Sequence, residues 1–288
     1  MSDLKYAIVL GGGFAKNAYQ FGFMKAFCEQ VSRENIVAIA CASGGALNGY
    51  ALSANKLEEG EAMWRNFSCS GAWDFLLRSW RRDILSEIAD MLIKPEDVPD
   101  IPLILPLCRV PKIEALYLRL NGCDFDEMRK IMRAAIAFPV VSKFPVKVYK
   151  KRYIDGGALD NIPVSAVMKS EADVVVVLHC DPMYLPVPKL YEYGKAIVDI
   201  DVTTDDVTLM SSFKVQKKEL NKMLDNGYAY GKETCAYLFG EKENSFGEVQ
   251  RRIYAFLRND YGRRRRKPAL DIVATTLNKI YNYLLLEN

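Results

Sequence analysis

Short runs in which every position is apolar alternate along this chain with longer stretches whose apolar residues recur three and four apart. Residues 6–10 form the first run and end in three glycines, the pattern of a strand buried on both faces that enters a tight turn. Over residues 15–30, Ala18, Tyr19, Phe21, Phe23, Met24, Ala26 and Phe27 share a broad helical face, so the unit reads strand, glycine turn, helix. Residues 36–42 open a second copy, followed by Ser43-Gly44-Gly45 and a helix over 46–54. Further strands are predicted at 146–149, at 152–154 and at 173–179, where four successive valines begin at Val174. Residues 214–224 read as a helix that Asn226-Gly227 stops, and 270–286 as a final amphipathic helix. Strands interleaved with helices predict an α/β layered fold.

Two stretches read as cover for a site. Trp73, Leu76, Leu77, Trp80, Ile84, Ile88 and Met91 are spaced as one helix face, with Arg78, Arg81 and Arg82 beside it, a composition that suits either an interfacial lid or ordinary core packing. Residues 101–107 are apolar and broken by proline, which predicts a mobile loop over the site.

Composition narrows the class. The 288 residues are half hydrophobic, enough to bury the core of one large domain or two small ones. A net charge of +3 does not advertise nucleic acid, although Arg263, Arg264, Arg265, Arg266 and Lys267 form a basic run that fits a solvated linker or an acidic lipid surface. Seven cysteines at irregular spacing and a single histidine make neither a disulfide framework nor a metal-ligand cluster, so no metal or cofactor is expected. No leader pattern and no run of 18 apolar residues stand out, so a cytoplasmic protein is the expectation.

The chemistry starts at Ser43. A nucleophilic serine on a sharp strand-to-helix turn needs small neighbours, as in G-x-S-x-G, and here the five residues are Cys41-Ala42-Ser43-Gly44-Gly45. An isolated turn of this kind fits a helix cap as well. Gly11, Gly12 and Gly13 lead into a helix N-terminus whose free N–H groups would suit an oxyanion. Neither a dinucleotide-binding turn nor a phosphate loop fits, because Lys16 stands where the third glycine belongs and no G-K-[ST] follows. Asp155-Gly156-Gly157 follows a predicted strand and reads by itself as a turn. The only histidine, His179, closes the valine strand, where a structural role is expected, so an activated serine would have to be served directly by a carboxylate, with Asp155 the candidate.

With these pieces in order, the chain resembles the patatin-like phospholipase family, which combines a G-G-G-x-[RK] turn, a G-x-S-x-G turn and a D-G-[GA] aspartate. Residues 11–22 (GGGFAKNAYQFG) match the first block, with Lys16 at its basic position and Asn17 where glycine is usual, a change that asparagine's tolerance of left-handed backbone would soften. Residues 134–139 (AAIAFP) resemble the family's small-residue stretch ending in proline ahead of the aspartate, and residues 153–157 through 161–164 match the aspartate block. Cys41 departs from the pattern and puts the efficiency of the turn in question. The resemblance implies a three-layer α/β/α fold with a mainly parallel sheet: a catalytic core over 1–185 with a helical insertion at 55–130, and a mainly helical part over 186–288. It implies a lipid substrate, an acyl-enzyme on Ser43 with Asp155 as base, and an oxyanion held by Gly11, Gly12 and Gly13. Lys16, Gly45, Gly156 and Gly157 would support them, and peripheral membrane contact is expected. A binding relative with little turnover and a lipid transacylase are the alternatives.

Overall fold

Alternate residues of β1 (Tyr6–Leu10) leave the sheet on opposite sides: Tyr6, Ile8 and Leu10 enter the larger core, Ala7 and Val9 the smaller. β7 (Val174–His179) divides its residues in the same way, which is why both strands are continuously apolar in sequence. The computed structural model describes residues 4–71, 73–75, 77–78, 84–139, 145–181, 184–202, 214–240 and 245–264.

β1 lies between β2 (Ile36–Cys41) and β7 and is parallel to both. β3 (Leu103–Val110) joins β2 and β8 (Ala196–Asp201) joins β7, again in parallel. β4 (Glu114–Arg119) and β6 (Lys151–Asp155) pair antiparallel with β3, and β5 (Val146–Val148) with β6. The result is a mixed, mostly parallel sheet of eight strands in the order β5-β6-β3-β2-β1-β7-β8, with β4 beside β3. The expected α/β layering therefore forms. Its larger core takes residues from α1 (Asn17–Gln30), α2 (Gly45–Ser53), α3 (Leu57–Asn66), α4 (Ile84–Leu92), α5 (Phe125–Ala135), α6 (Lys217–Phe239) and α7 (Phe246–Arg264). The opposite layer is thin, built on short turns at Val164–Val167 and Pro188–Tyr193.

Three expectations change. Asn226-Gly227 does not stop a helix but lies inside α6. A methyl group on Gly227 would lie 2.0 Å from Tyr19 O, and one on Gly22 would lie 2.1 Å from Leu224 O, so these glycines let α1 and α6 touch backbone to backbone. The stretch expected to be a mobile loop is largely strand β3. Pro106 stands opposite Tyr117 of β4 and, on the other edge of β3, falls between Ile104, the last residue paired with β2, and Leu107, the first paired with β6. Nor is the proposed lid one apolar face. Phe75, Ile84 and Ile88 are buried while Trp73, Leu77 and Met91 are exposed. Leu76, Trp80, Arg81, Arg82, the stretch 270–286 and the end of the basic run from Arg265 lie outside the described residues.

Gly227→Ala is expected to destabilise the protein by about 1–3 kcal/mol, as overpacking does. Thermal unfolding measures it, and a midpoint equal to wild type would contradict the close helix contact.

Candidate active site

Leu10 is paired with Cys41 on one side and Leu178 on the other, so the turns after β1 and β2 emerge level at the carboxyl ends of parallel strands. Open α/β sheets place their ligands in that crevice. Ala42 N–H donates to Leu10 O (3.1 Å) and Gly11 N–H to Leu178 O (2.8 Å), which locks the two turns to the sheet.

Ser43 sits at φ +52°, in the left-handed region. This conformation costs a residue with a Cβ about 1 kcal/mol or more, and it aims the side chain off the end of the strand. α2 begins only afterwards, with Gly44 as its N-cap and no side chain capping it, so Ser43 is not a helix cap. Gly45 rests on β1, where a methyl group would come within 2.5 Å of Leu10 O. Cys41 is accommodated from the other side: a methyl group on Gly49 would lie 2.5 Å from Cys41 Sγ, so the thiol fills the notch that glycine leaves in α2. Burial pushes that thiol far above its ordinary pKa, which makes it a packing group and no rival nucleophile.

Asp155 ends β6, and its N–H donates to Ala137 O (3.1 Å), the small-residue stretch before Pro139. Its Oδ1 accepts from Gly157 N–H (2.7 Å), while Oδ2 is buried with no hydrogen-bond partner among the described residues. Ser43 and Asp155 meet across Gly157, where a methyl group would lie 3.0 Å from Asp155 Oδ1 and 3.5 Å from Ser43 Cβ. Gly156 is pressed on β3, 2.2 Å from its would-be methyl to Pro106 O. Burial pushes the Asp155 carboxyl up to about 7, and the Ser43 hydroxyl and Gly157 N–H oppose it only in part. The Ser43 hydroxyl is thus close enough to act on the carboxylate without completing a well-formed hydrogen bond to Oδ2. Such bonds commonly tighten only around substrate.

The three glycines are not equivalent. Gly11 N–H is taken by Leu178 O and Gly12 N–H by Asn161 O (3.1 Å), with Asn161 Nδ2 donating back to Gly12 O (3.1 Å). Among the described residues no acceptor meets Gly13 N–H, which precedes Phe14 at φ +59°. Lys16 is buried, and its Nζ donates to Cys180 O (3.2 Å), tying the glycine turn to the end of β7. Asn17 is right-handed (φ −66°), so left-handed tolerance is not why asparagine stands there. Its side chain donates to Gly11 O (2.9 Å). His179 is buried, with Nε2 3.6 Å from Asp199 Oδ2, Nδ1 accepting from Asp181 N–H (3.3 Å), and its ring 4.9 Å from that of Tyr184.

Ser43 opens onto an apolar pocket walled by Phe14, Leu47, Met63, Trp64, Phe67 and Phe75. Such an apolar wall beside a serine hydroxyl suits an acyl chain. Gln20 and Asn48 are not singled out by the sequence motifs. The available signal is a polar side chain on a helix that is otherwise apolar, because a buried amide must find partners.

Ser43, strained at the end of a parallel strand, thus stands beside a buried carboxylate in a mostly parallel α/β sheet. Residues 8–168 match the model of the family described as patatin-like phospholipase, and the chain belongs to that family. The class of chemistry this supports is lipid acyl-ester hydrolysis. No curated protein matches the chain in sequence. Solved structures to which it is similar include VipD from Legionella pneumophila, at 12% identity and a TM-score of 0.44, over 81% of this chain and 66% of that one.

The raised Asp155 carboxyl carries a stability prediction. Its contribution is present well below the ordinary carboxylate range and is lost as pH rises through about 7. Asp155→Asn keeps an acceptor for Gly157 N–H and removes the buried charge. The variant is expected to melt higher than wild type at about pH 8, by on the order of a few kcal/mol of stability, with the gap closing toward about pH 4. Melting curves that stay parallel across that range would contradict it.

Proposed function

We propose that this protein is a serine acyl hydrolase that cleaves fatty-acyl esters of lipids with Ser43 as nucleophile and Asp155 as general base. The observation that carries the reading is the left-handed Ser43 set beside a buried carboxylate whose Oδ2 has no other partner among the described residues. Ser43 Oγ attacks the ester carbonyl while Asp155 takes the hydroxyl proton, and the departing alcohol then takes that proton from Asp155. Water attacks the acyl-enzyme, gives its proton to Asp155, and the fatty acid leaves as the proton returns to Ser43. Because Gly11 and Gly12 amides are already engaged, the oxyanion falls to the amides of Gly13 and of Gly44, the residue after the nucleophile. Lys16 and Gly45 hold the two turns, and Gly156 and Gly157 hold the carboxylate. The catalytic reading is favoured over a binding-only relative, since backbone strain at Ser43 would be stability given up without return.

A lipid surface is the partner this reading requires. Trp73 is 79% and Leu77 46% exposed, four residues apart, while Phe75 between them faces the pocket. Cys69 N–H donates to Val215 O (2.9 Å) and Gln216 Nε2 to Ser70 O (3.0 Å), which brings this segment beside the exposed Lys217, Lys218 and Lys222. An exposed indole on a segment tied to the start of a lysine-bearing helix suits an anionic bilayer. Among the described residues no helix is long and apolar enough to cross a membrane.

Ser43→Ala is expected to abolish both ester hydrolysis and fluorophosphonate labelling, and Asp155→Asn to lower kcat by roughly 10³–10⁴-fold. Labelling that persists in Ser43→Ala would refute the nucleophile. Lys217→Glu with Lys218→Glu and Lys222→Glu should weaken binding to anionic vesicles by on the order of 100-fold while Ser43→Ala binds as wild type. Equal vesicle binding by the triple variant would remove the docking face.

A further inference from the structure

The apolar wall of the pocket and the carbonyl that orients the glycine turn are joined by a chain of buried amides. Trp64 Nε1–H donates to Asn48 Oδ1 (2.9 Å), and Asn48 Nδ2 donates to Gln20 Oε1 and to Asn17 O (both 2.9 Å). Gln20 Nε2 donates to Gly11 O and Leu178 O (both 2.9 Å), and Asn17 Nδ2 to Gly11 O and Gln20 Oε1 (both 2.9 Å). Asn17, Gln20 and Asn48 are fully buried, and Trp64 is 6% exposed with its ring on the pocket.

The consequence is geometric. Gly11 O and Gly12 N–H belong to one peptide plane, held on its carbonyl side by Gln20 and Asn17 and on its amide side by Asn161 O. That plane sets the direction of the next one, whose N–H is Gly13's. An amide in a low-dielectric interior cannot be left unpaired without a large penalty, so a shift of Trp64 is opposed all the way to the glycine turn.

We propose that Gln20 and Asn48 are positioning residues for the oxyanion turn, and that Trp64 is a specificity-determining residue through which an acyl chain filling the pocket holds that turn in place. This rests on the hydrolase reading above. Contact with the remote part of the substrate is then expressed in turnover more than in binding, as expected when such contact is used to orient the reacting centre. Esters too short to reach Trp64 do not benefit.

The test compares nitrophenyl acetate, octanoate and dodecanoate on wild type and Trp64→Phe, which keeps an aromatic wall, deletes the N–H donor and shortens the ring system. Wild-type kcat should rise with acyl length. In Trp64→Phe, dodecanoate kcat should fall on the order of 10-fold with KM within about 2-fold, and acetate turnover should stay near wild type. A general structural lesion would instead lower all three esters together. Should Trp64→Phe not fold, Asn48→Asp keeps the acceptor for Trp64 and loses the donors to Gln20 Oε1 and Asn17 O. The ratio of its labelling rates by ethyl and octyl fluorophosphonates is expected to flatten likewise. An unchanged chain-length profile, a loss equal for all esters, or a loss confined to KM would overturn this inference alone. A wild type inert toward every ester and unlabelled would overturn the hydrolase reading, and this with it.

Discussion

Ser43 holds a left-handed backbone at φ +52°, and nearly every unusual residue around it is there to let it do so. The conformation is unfavourable for a side-chain-bearing residue, so it persists only where the surroundings over-determine it. The over-determination comes from the sheet below and from missing atoms around it. Leu10 O takes Ala42 N–H, Gly45 sits hard against that same carbonyl, and Gly12 and Gly157 leave the space that Ser43 Cβ and the Asp155 carboxylate occupy. In each of these places a methyl group would collide with backbone or with the reacting groups themselves.

The same crowding explains Asp155. Its carboxylate is reached only over glycine, and is shut away from water so thoroughly that burial pushes its pKa up to about 7. A carboxyl poised there can accept a serine proton near neutral pH and return it, which a solvated aspartate would do poorly. Function and stability pull against each other at this residue, because the charge that chemistry would use is one the fold would prefer not to bury.

The candidate site was legible in sequence because serine chemistry of the proposed kind demands residue types in a fixed order. The glycine turn, Ser43 and Asp155 follow strands that announce themselves as apolar runs, and a lone histidine ending one of those strands turned attention to a carboxylate. Packing was less legible. Gly227 looks like a stop to any local reading, and only the approach of α1 shows that it is a contact surface. Pro106 looks like a loop residue, whereas it stands inside β3, where the edge not covered by β4 passes from β2 to β6. Cys41 looked like a flaw in the nucleophile turn, and its compensation, Gly49, lies eight residues away on the next helix turn inward. Asn17 was noticed for its backbone, while its side chain is what the site uses. In each case the missing information was the identity of a neighbour distant in sequence.

A crystal structure of the protein after reaction with a long-alkyl phosphonate decides whether Ser43 is the nucleophile. Phosphorus is expected on Ser43 Oγ, with one phosphoryl oxygen accepting from the amides of Gly13 and Gly44, Asp155 within hydrogen-bond reach, and the alkyl chain against Trp64 and Phe75. Phosphorus on another side chain, or an oxygen turned away from both amides with the chain outside the pocket, would contradict it.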